Sequence, residues 1–472
     1  MISEHSWRSI FVTLILSVSI FWTQSVSAVS DPCKEELPEI KTWFPHQDTP
    51  KPDSKNFSPS SICSFNAWSW QMFLWLTQEY RGKPRFLSFV TPYDVLGIES
   101  REVLKPSAGH SPFDETVQAG PDGILVDKNG NVVYYSQYLN DHWVEFIERN
   151  NLTSPNAVQT FNPDTPFPAG AVELKASWRI VEAGEDVSDV FTMDYAVYGL
   201  KQQGAKFVID TENIRDVTLA LVGFHIGGVV KNHPEMIWAT FEHVKNAPIV
   251  PTTFNPDTVI ASSGDFTFFN PTPEKSTPQI TNTYASCNKN YVTSPYMKLD
   301  QATQKMSPVG QVCLQYEYGN TAVYNLSPTP SVNETIQGTI DENDAGIKEL
   351  NAIVRSNLKK EGDVWANYRE IGAIWFKTNK GLKPNMTLAT DFNDKGKQLL
   401  IGSLMLSNPT IETFTQFAST ENNCFRCHNT EQRLLTSSSG RLLDPLKPMN
   451  LNISHAFVNI YTWSQEMALD NK

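Results

Sequence analysis

The stretch from Val217 to Val230, VTLALVGFHIGGVV, decides how the rest of the chain is arranged. It is an almost unbroken apolar run around His225. Such a run is typical of a strand covered on both faces, so it predicts a buried central strand. A lone histidine in a strand of this kind is usually hydrogen-bonded within the core, and a ligand role for His225 is the alternative.

A second strand is predicted just before it, from Gly170 to Val181. Apolar and polar residues alternate there with a period of two, with Val172, Leu174, Ala176, Trp178 and Ile180 on one face and Glu173, Lys175, Ser177 and Arg179 on the other. This alternation predicts a half-buried strand. Its charged face is expected to be solvated or internally paired, or else to line a polar cavity.

Further elements are predicted outward from this pair. An aromatic-rich stretch predicts a compact apolar helix at 66–80, and the turn residues of 127–130 predict a hairpin over 124–135. A stretch rich in Pro, Ser, Asn and Thr at 327–339 predicts a linker or long loop. Beyond it, the apolar spacing predicts helices at 347–358, 411–418 and around 457–461, with a strand at 368–376.

These patterns predict an α+β fold. Residues 29–340 form a β-rich N-terminal body of one or two subdomains, and residues 341–472 form a helix-rich C-terminal region. A chain of 472 residues is long enough for two or three units. The net charge of −13 argues against a nucleic-acid partner, because binding to phosphates requires a basic face.

The N-terminus resembles an export signal. Ser9 to Trp22 is an uncharged, mostly apolar stretch behind Arg8, and Val26-Ser27-Ala28 suits a signal peptidase. We therefore expect a signal peptide at 1–28, cleaved after Ala28, and a periplasmic or secreted protein without a stable membrane span. A retained anchor is the alternative, although the run is shorter than the roughly 20 residues that cross a bilayer.

The sequence CFRCH, from Cys424 to His428, is the pattern of covalent c-type haem attachment. If a helix begins near Asn422 or Asn423, positions i, i+3 and i+4 fall on one face. Both thiols then face the two vinyl groups of one porphyrin, and His428 lies beneath the iron as the proximal ligand. A zinc site or a dithiol redox site are the alternatives. They are less well supported, because a second pair of Cys or His at short range and a preceding βαβ pattern are both lacking in the sequence.

With these residues, the chain resembles the cytochrome c family. More loosely, it is similar to large exported bacterial proteins with a single C-terminal CxxCH haem motif. The runs Glu173 to Trp178 and His233 to His243 are further points of likeness to that group. The resemblance implies one covalent haem c held by Cys424, Cys427 and His428, and the group supplies a class of protein without a specific chemistry.

The sixth iron ligand is left open by the sequence. Small cytochromes of this family have a methionine many residues after the haem motif, whereas only 44 residues follow His428 here. Met449 lies in a Pro-flanked loop and is one candidate. His455 and Met467, in the predicted last helix, and an upstream histidine such as His225 are the others.

The remaining four cysteines form an even set, as expected in an oxidising compartment. Their order suggests the local bridges Cys33 to Cys63 and Cys287 to Cys313, because short loops close with the least loss of entropy. The other two connectivities stay open at this point.

Three histidines and two acids make the densest group of titratable side chains outside the haem motif: His225, His233, His243, Glu235 and Glu242. Two roles are considered for them, a second metal site and a distal position over the open face of the iron. Zinc spacing of the HExxH kind is absent. Since side chains of a strand alternate between faces, the sequence leaves open whether these groups converge.

Three functions are consistent with the sequence. The first is extracytoplasmic electron transfer with a redox partner protein or a small-molecule oxidant or reductant. The second is a haem-dependent oxidoreductase, peroxidase-like or oxygenase-like, in which a histidine of the body serves as distal acid or base. The third is a haem-based binding or sensing module.

Overall fold

A computed structural model describes residues 33, 36–44, 51–97, 103–104, 124–204, 206–276, 278–291, 296–318, 334–376, 382–386, 400–403, 406–416, 424–437 and 440–470. The predicted signal peptide and the two asparagines proposed to cap the haem-motif helix, Asn422 and Asn423, lie outside these residues. About 28% of the chain is helical and 28% is in strands, so the α+β class is confirmed at that level.

The described strands are β1 (Glu79–Tyr80), β2 (Lys83–Pro84), β3 (Val103–Leu104), β4 (Tyr134–Leu139), β5 (Val172–Ile180), β6 (Thr192–Gln203), β7 (Lys206–Val230), β8 (His233–His243), β9 (Lys298–Asp300), β10 (Lys305–Ser307), β11 (Tyr368–Phe376) and β12 (Leu400–Gly402). The described α-helices are α1 (Ile62–Thr77), α2 (Pro92–Val95), α3 (Asp141–Arg149), α4 (Pro155–Thr160), α5 (Glu334–Lys360), α6 (Cys424–Cys427) and α7 (His455–Asp470). Short 3₁₀ helices span Pro38–Trp43, Arg85–Ser88, Tyr284–Ser286, Val364–Asn367 and Asn450–Ile453.

One sheet of eight strands organises the described residues. Its main path runs β12-β11-β8-β7-β5-β4, and β6 pairs with β7 and with β3. All of these pairings are antiparallel except that of β3 with β6. The prediction that Val217 to Val230 is a buried central strand is confirmed, because β7 has neighbours on both edges and its apolar residues from Leu219 to Val230 are buried.

Helices α1 and α5 cover one face of the sheet. Phe73 of α1 stacks on Phe241 of β8 with ring centroids 4.4 Å apart, and Leu350 and Val354 of α5 belong to the same apolar core. Phe224 of β7 also faces this core. The predicted apolar helix near 66–80 and the helix at 347–358 are therefore confirmed, although the second begins at Glu334, inside the stretch predicted as a loop.

The opposite face of the sheet is covered by α3, α4, α7 and the residues that surround α6. A second apolar core lies there, with Trp143 of α3, Val158 of α4, Phe425 of α6 and Phe457 of α7 among its members. This second layer explains a departure from the predicted half-buried β5. Its apolar side is in the first core as predicted, but Glu173 and Arg179 on its charged side are 7% and 8% exposed.

The described part of 341–472 does not clearly support the helix-rich C-terminal region. Strands β11 and β12 come from this part of the chain and extend the sheet that contains β7 and β8. Strand β11 hydrogen-bonds to β8, which lies more than 120 residues earlier. The domain boundary at residue 340 stays a prediction.

The helix predicted at 411–418 is wrong for its described residues, since 411–416 form turns. The side chain of Asn408 accepts hydrogen bonds from the backbone and hydroxyl of Thr410, and the Glu412 carboxylate accepts one from the backbone of Asn408. Such local bonds from side chain to backbone compete with a helical ladder. They also bring Glu412 over the sheet.

Two other predictions are confirmed. Cys33 pairs with Cys63 and Cys287 with Cys313, so the local disulfide connectivity is correct. The hairpin at 124–135 forms around a bridge between Val126 and Val132. Among the described residues, no helix is long and apolar enough to cross a membrane.

Candidate functional site

The predicted attachment residues lie in one helical turn. Helix α6 spans Cys424–Cys427, and the backbone amide of His428 donates to the carbonyl of Cys424 at 2.7 Å, which continues the turn by one residue. Phe425, fully buried, anchors the turn against Phe376 of β11 with ring centroids 4.6 Å apart. Cys427 is exposed and Cys424 is partly buried. The sequence spacing i, i+3, i+4 thus takes the helical form that was predicted for it.

The two cysteines are thiols, because the other four cysteines pair with one another. Burial, reinforced by the acidic Glu412 nearby, holds the pKa of Cys424 well above its ordinary value of 9.0. Cys424 is therefore a neutral thiol at physiological pH.

One ring nitrogen of His428 is committed to the backbone. Its Nδ1 lies 2.7 Å from the carbonyl oxygen of Ile453. A carbonyl only accepts hydrogen bonds, so Nδ1 carries the proton and donates it. Burial and the neighbouring His455 hold the pKa of His428 well below 6.5, so the ring is neutral. Its Nε2 therefore has a free lone pair, which is the form that binds a metal.

Two aromatic rings cover His428. The Trp238 ring lies with its centroid 3.7 Å from that of His428 at an angle of 33°, and the His455 ring lies at 3.9 Å and 17°. Two rings at these distances cannot share one face of an imidazole, so they lie on opposite faces. His455 Nε2 is 3.3 Å from the carbonyl oxygen of Cys427 and donates to it, which joins the first residue of α7 to the motif.

A cavity of about 40 Å³ adjoins these rings. Polar side chains that line it are Gln137, Glu173, Lys175 and His225 from the sheet, with His428 and His455 from the C-terminal segments. The sheet register explains the arrangement, because Gln137 is the cross-strand neighbour of Lys175 and Lys175 is that of His225. The alternative considered for the charged side of β5, that it lines a polar cavity, is confirmed for Glu173 and Lys175.

Glu173 connects the sheet to the start of the last helix. Its carboxylate accepts a short hydrogen bond from the hydroxyl of Ser454, and both residues are buried. Burial raises the pKa of Glu173 from 4.5 to about 7, against the lowering effects of Ser454 and Lys175. The carboxyl is thus poised between its charged and neutral forms near neutral pH.

His225 is the one upstream histidine, of the three considered, that lines this cavity. Its Nε2 lies 3.0 Å from a carboxylate oxygen of Glu412, in an orientation that does not make a hydrogen bond. Within the described residues, this nitrogen therefore does not make the hydrogen bond expected of a core histidine. The ligand role considered for His225 stays a prediction.

His233 and His243 do not belong to the site. Trp238 and Thr240 of β8 pair with Gly227 and His225. His243 lies an odd number of residues from both, so its side chain points to the opposite face of the sheet, which α1 and α5 cover. Its ring contacts Tyr368 there, and its Nε2 lies 3.0 Å from the carbonyl of Asp189. The ring of His233 contacts Phe65 of α1 and bonds to Glu235.

Glu242 has a structural partner, since it forms an ion pair with Arg369 at 2.7 Å. The grouping of His225, His233, His243, Glu235 and Glu242 in the sequence therefore does not become one cluster in space. Within the described ranges, no set of three or more His, Cys, Asp or Glu side chains is arranged to hold a metal ion.

The candidates for a sixth ligand differ in their surroundings. Met449 is fully buried in the second apolar core, beside Leu446 and Leu451. Met467 is 39% exposed. His455 stacks on His428 instead of lying across from it, and its Nε2 is committed to Cys427. Of the four, His225 shares the cavity without stacking on His428.

Several residues of the site were not identified from the sequence: Trp238, Ile453, Ser454 and Glu412. Trp238 and Glu173 do fall in the two runs that gave the looser likeness. Ile453 acts through its backbone carbonyl, a role that its side chain does not reveal.

The residues fit a covalent haem by their chemistry: two thiols on one turn, and a neutral imidazole with Nε2 available. The cavity beside His428 is too small for a porphyrin, because its volume of about 40 Å³ is far below the roughly 300 Å³ of a small cofactor pocket. A porphyrin therefore requires the groups around His428 to move outward. Comparisons with protein-family models, curated proteins and solved structures find no match to this chain.

Proposed function

We propose that this protein is an exported c-type cytochrome. It binds one haem through Cys424 and Cys427, with His428 as the proximal iron ligand, and takes part in electron transfer outside the cytoplasm. The observation that carries the proposal is the 2.7 Å bond from Nδ1 of His428 to the carbonyl of Ile453. Histidines that bind a metal almost always donate their other ring N–H to a carbonyl or carboxylate, which fixes the tautomer and the ring orientation.

The chain's own residues have distinct tasks in this proposal. The two thiols form the covalent attachment, and the buried Phe425 holds their turn on the second core. Trp238 and His455 restrict rotation of the His428 ring and exclude water from its faces. When bound, the haem supplies reversible one-electron chemistry at its iron.

The two disulfides support the proposed location. Bridges such as Cys33 to Cys63 and Cys287 to Cys313 persist in oxidising compartments and are rare in the cytosol. Covalent haem attachment by this motif belongs to the same side of the membrane. The export signal expected at residues 1–28 also supports the proposed periplasmic or secreted location.

A haem-dependent oxidoreductase is the second candidate, and one observation favours it. His225, Gln137 and Lys175 line the same cavity as His428. Within the described residues, Oε1 of Gln137 is buried and has no hydrogen-bond partner. A buried acceptor without a partner costs free energy, so a small ligand with a donor group would be stabilised there. His225 would then be the distal acid or base.

The test is production of the full chain in a host that matures c-type cytochromes. The proposal expects a coloured protein with the added mass of one haem, and loss of both in the Cys424→Ala/Cys427→Ala double variant. The matched control is Cys287→Ala/Cys313→Ala, which also removes two cysteines but should keep the haem. A colourless wild-type protein without added mass contradicts the proposal.

The visible spectrum of the reduced protein separates the two candidates. An unchanged low-spin spectrum after addition of carbon monoxide supports the electron carrier. A prompt shift shows an accessible iron and supports the oxidoreductase. In a carrier with His225 as the sixth ligand, His225→Ala should create a carbon monoxide response that the wild type lacks, whereas in the oxidoreductase it should alter a response that the wild type already shows.

A further inference from the structure

We propose that Glu173 is a positioning residue for the His428 imidazole and acts through Ser454. The inference rests on the proposed function, because the ring to be positioned is the one that binds the iron. It concerns a residue 255 positions before His428 in the chain, on the central sheet.

The contact joins two distant parts of the molecule. Glu173 lies on β5, where it pairs with Leu139 of β4 and Gly227 of β7, so its backbone is fixed by neighbours on both sides. Its carboxylate accepts the hydroxyl hydrogen of Ser454. Both side chains are buried, so breaking the bond leaves polar groups to be satisfied inside the protein, which costs free energy.

Ser454 also begins the last helix. Its hydroxyl oxygen accepts a hydrogen bond from the backbone amide of Phe457 at 3.0 Å, which is the position that an N-cap serine satisfies in a helix beginning at His455. One hydroxyl thus donates to the sheet and accepts from the helix. Glu173 thereby fixes the place where α7 starts.

The two residues that flank Ser454 are the two C-terminal groups that contact His428. The Ile453 carbonyl accepts the Nδ1 hydrogen, and the His455 ring stacks on the imidazole. A displacement of Ser454 therefore moves both contacts together. The described hydrogen bonds of Glu173 and His428 do not join the two side chains directly. The influence of Glu173 therefore passes through the backbone of residues 453–455.

Burial of a carboxyl at this point has an energetic cost that a purely apolar residue would avoid. The other side chains lining the same cavity include the cationic Lys175, and the titratable His225, His428 and His455. Either the carboxylate or the neutral acid offers an oxygen to Ser454, so the bond does not depend on the charge. A glutamine has the same shape and the same acceptor, which makes Glu173→Gln the conservative variant.

The test compares four variants of the mature protein: Glu173→Gln, Glu173→Leu, Ser454→Ala and Glu370→Leu. Glu370 is the matched control, because it is a fully buried acid of the same sheet beside Ser69 of α1, on the other face. The readouts are the mass of attached haem, the spectrum of the reduced protein and the midpoint potential.

We expect Glu173→Leu and Ser454→Ala to retain the haem mass but to shift the low-spin bands and raise the midpoint potential. Loss of the Nδ1 bond makes the imidazole a weaker electron donor, which stabilises the oxidised iron less. At about pH 5, where Glu173 is largely neutral, Glu173→Gln should match the wild type, and Glu370→Leu should keep the wild-type spectrum and potential whatever its stability. The double variant Glu173→Leu/Ser454→Ala should shift the potential no further than Ser454→Ala alone, because Ser454→Ala already removes the bond to Glu173 together with the cap on Phe457.

Wild-type spectra and potentials in Glu173→Leu and Ser454→Ala would overturn the positioning role. An equal shift in Glu370→Leu would also overturn it, because the effect would then follow from any buried acid. If Glu173→Leu does not fold, the comparison of Ser454→Ala with the wild type and Glu173→Gln decides. A wild-type protein without haem would instead overturn the proposed function.

Discussion

The imidazole rings of His428 and His455 are stacked, with centroids 3.9 Å apart and planes at 17° to each other. Burial lowers the pKa of both rings, that of His455 to about 4, so two neutral rings lie in contact. The stack joins the turn after Cys427 to the first residue of the last helix. Because His455 covers one face of the His428 ring, a shift of that helix would also move this covering ring.

Replacement of His455 tests this cover. His455→Ala removes one ring from the face of His428 and the bond to the carbonyl of Cys427, so we expect a loss of about 1 kcal/mol of unfolding free energy from the aromatic pair and a shifted spectrum of the reduced protein. His455→Phe keeps an aromatic ring and is the control. An unchanged spectrum and stability in the alanine variant would mean that the stack does not hold the His428 ring.

Met449 should behave as a core residue. Met449→Ala removes a fully buried side chain, so we expect the free energy of unfolding to fall by about 2 to 5 kcal/mol. Met449→Leu conserves volume and should cost less than about 1.5 kcal/mol, with an unchanged reduced spectrum. Loss of the low-spin bands in the leucine variant would identify the Met449 thioether as the sixth ligand instead.

Glu173 should make stability depend on pH. Its pKa is raised from 4.5 to about 7 in the folded protein, so between these values the unfolded chain has lost a proton that the folded chain keeps. The contribution of Glu173 to stability therefore falls as pH rises from 4.5 to about 7, and is constant above. At about 1.4 kcal/mol per pKa unit, the fall amounts to about 3 kcal/mol.

Denaturant unfolding of the wild type and Glu173→Gln at several pH values measures this effect. The difference between the two proteins removes the opposite contribution of His455, which both share. The wild type should lose stability relative to Glu173→Gln as pH rises through this window. A difference that is flat from pH 4.5 to 7.5 would show that Glu173 keeps an ordinary pKa.

Gly228 should not tolerate a side chain. A Cβ there would lie 2.5 Å from the ring of Trp68, which is fully buried and held by a hydrogen bond from its Nε1 to the carbonyl of Pro52. We expect Gly228→Ala to lower the midpoint of thermal unfolding, with a cost of about 1 to 3 kcal/mol for overpacking.

Gly310→Ala is the matched control, because the nearest atom to a Cβ there is 3.6 Å away. It should leave the midpoint nearly unchanged. Equal midpoints for Gly228→Ala and the wild type would mean that α1 can shift away from β7 at little cost.

Several features of this protein are encoded by residues that are neighbours in the chain. The apolar run of β7, the alternation of β5 and the helical spacing within α5 reflect periods of two and 3.6, and each is a property of its own segment. The spacing of Cys424, Cys427 and His428 was likewise sufficient to predict the thiols and the imidazole of one turn. The two disulfides followed from the low entropy cost of short loops.

Which distant groups meet depends instead on how the strands and the C-terminal segments pack. Glu173, His225 and Trp238 join His428 because of the register of β5, β7 and β8 and because the C-terminal segments cover that face of the sheet. A strand pattern shows that two faces differ but not which one a later segment will cover.

The same limit explains His233 and His243, which lie close to His225 in sequence and on the other face of the sheet. His233 and His243 each lie five residues from Trp238, so alternation along β8 directs both away from the face that Trp238 shares with His428. The local sequence does not specify which face of the sheet the C-terminal segments will cover, because that depends on packing between distant parts of the chain.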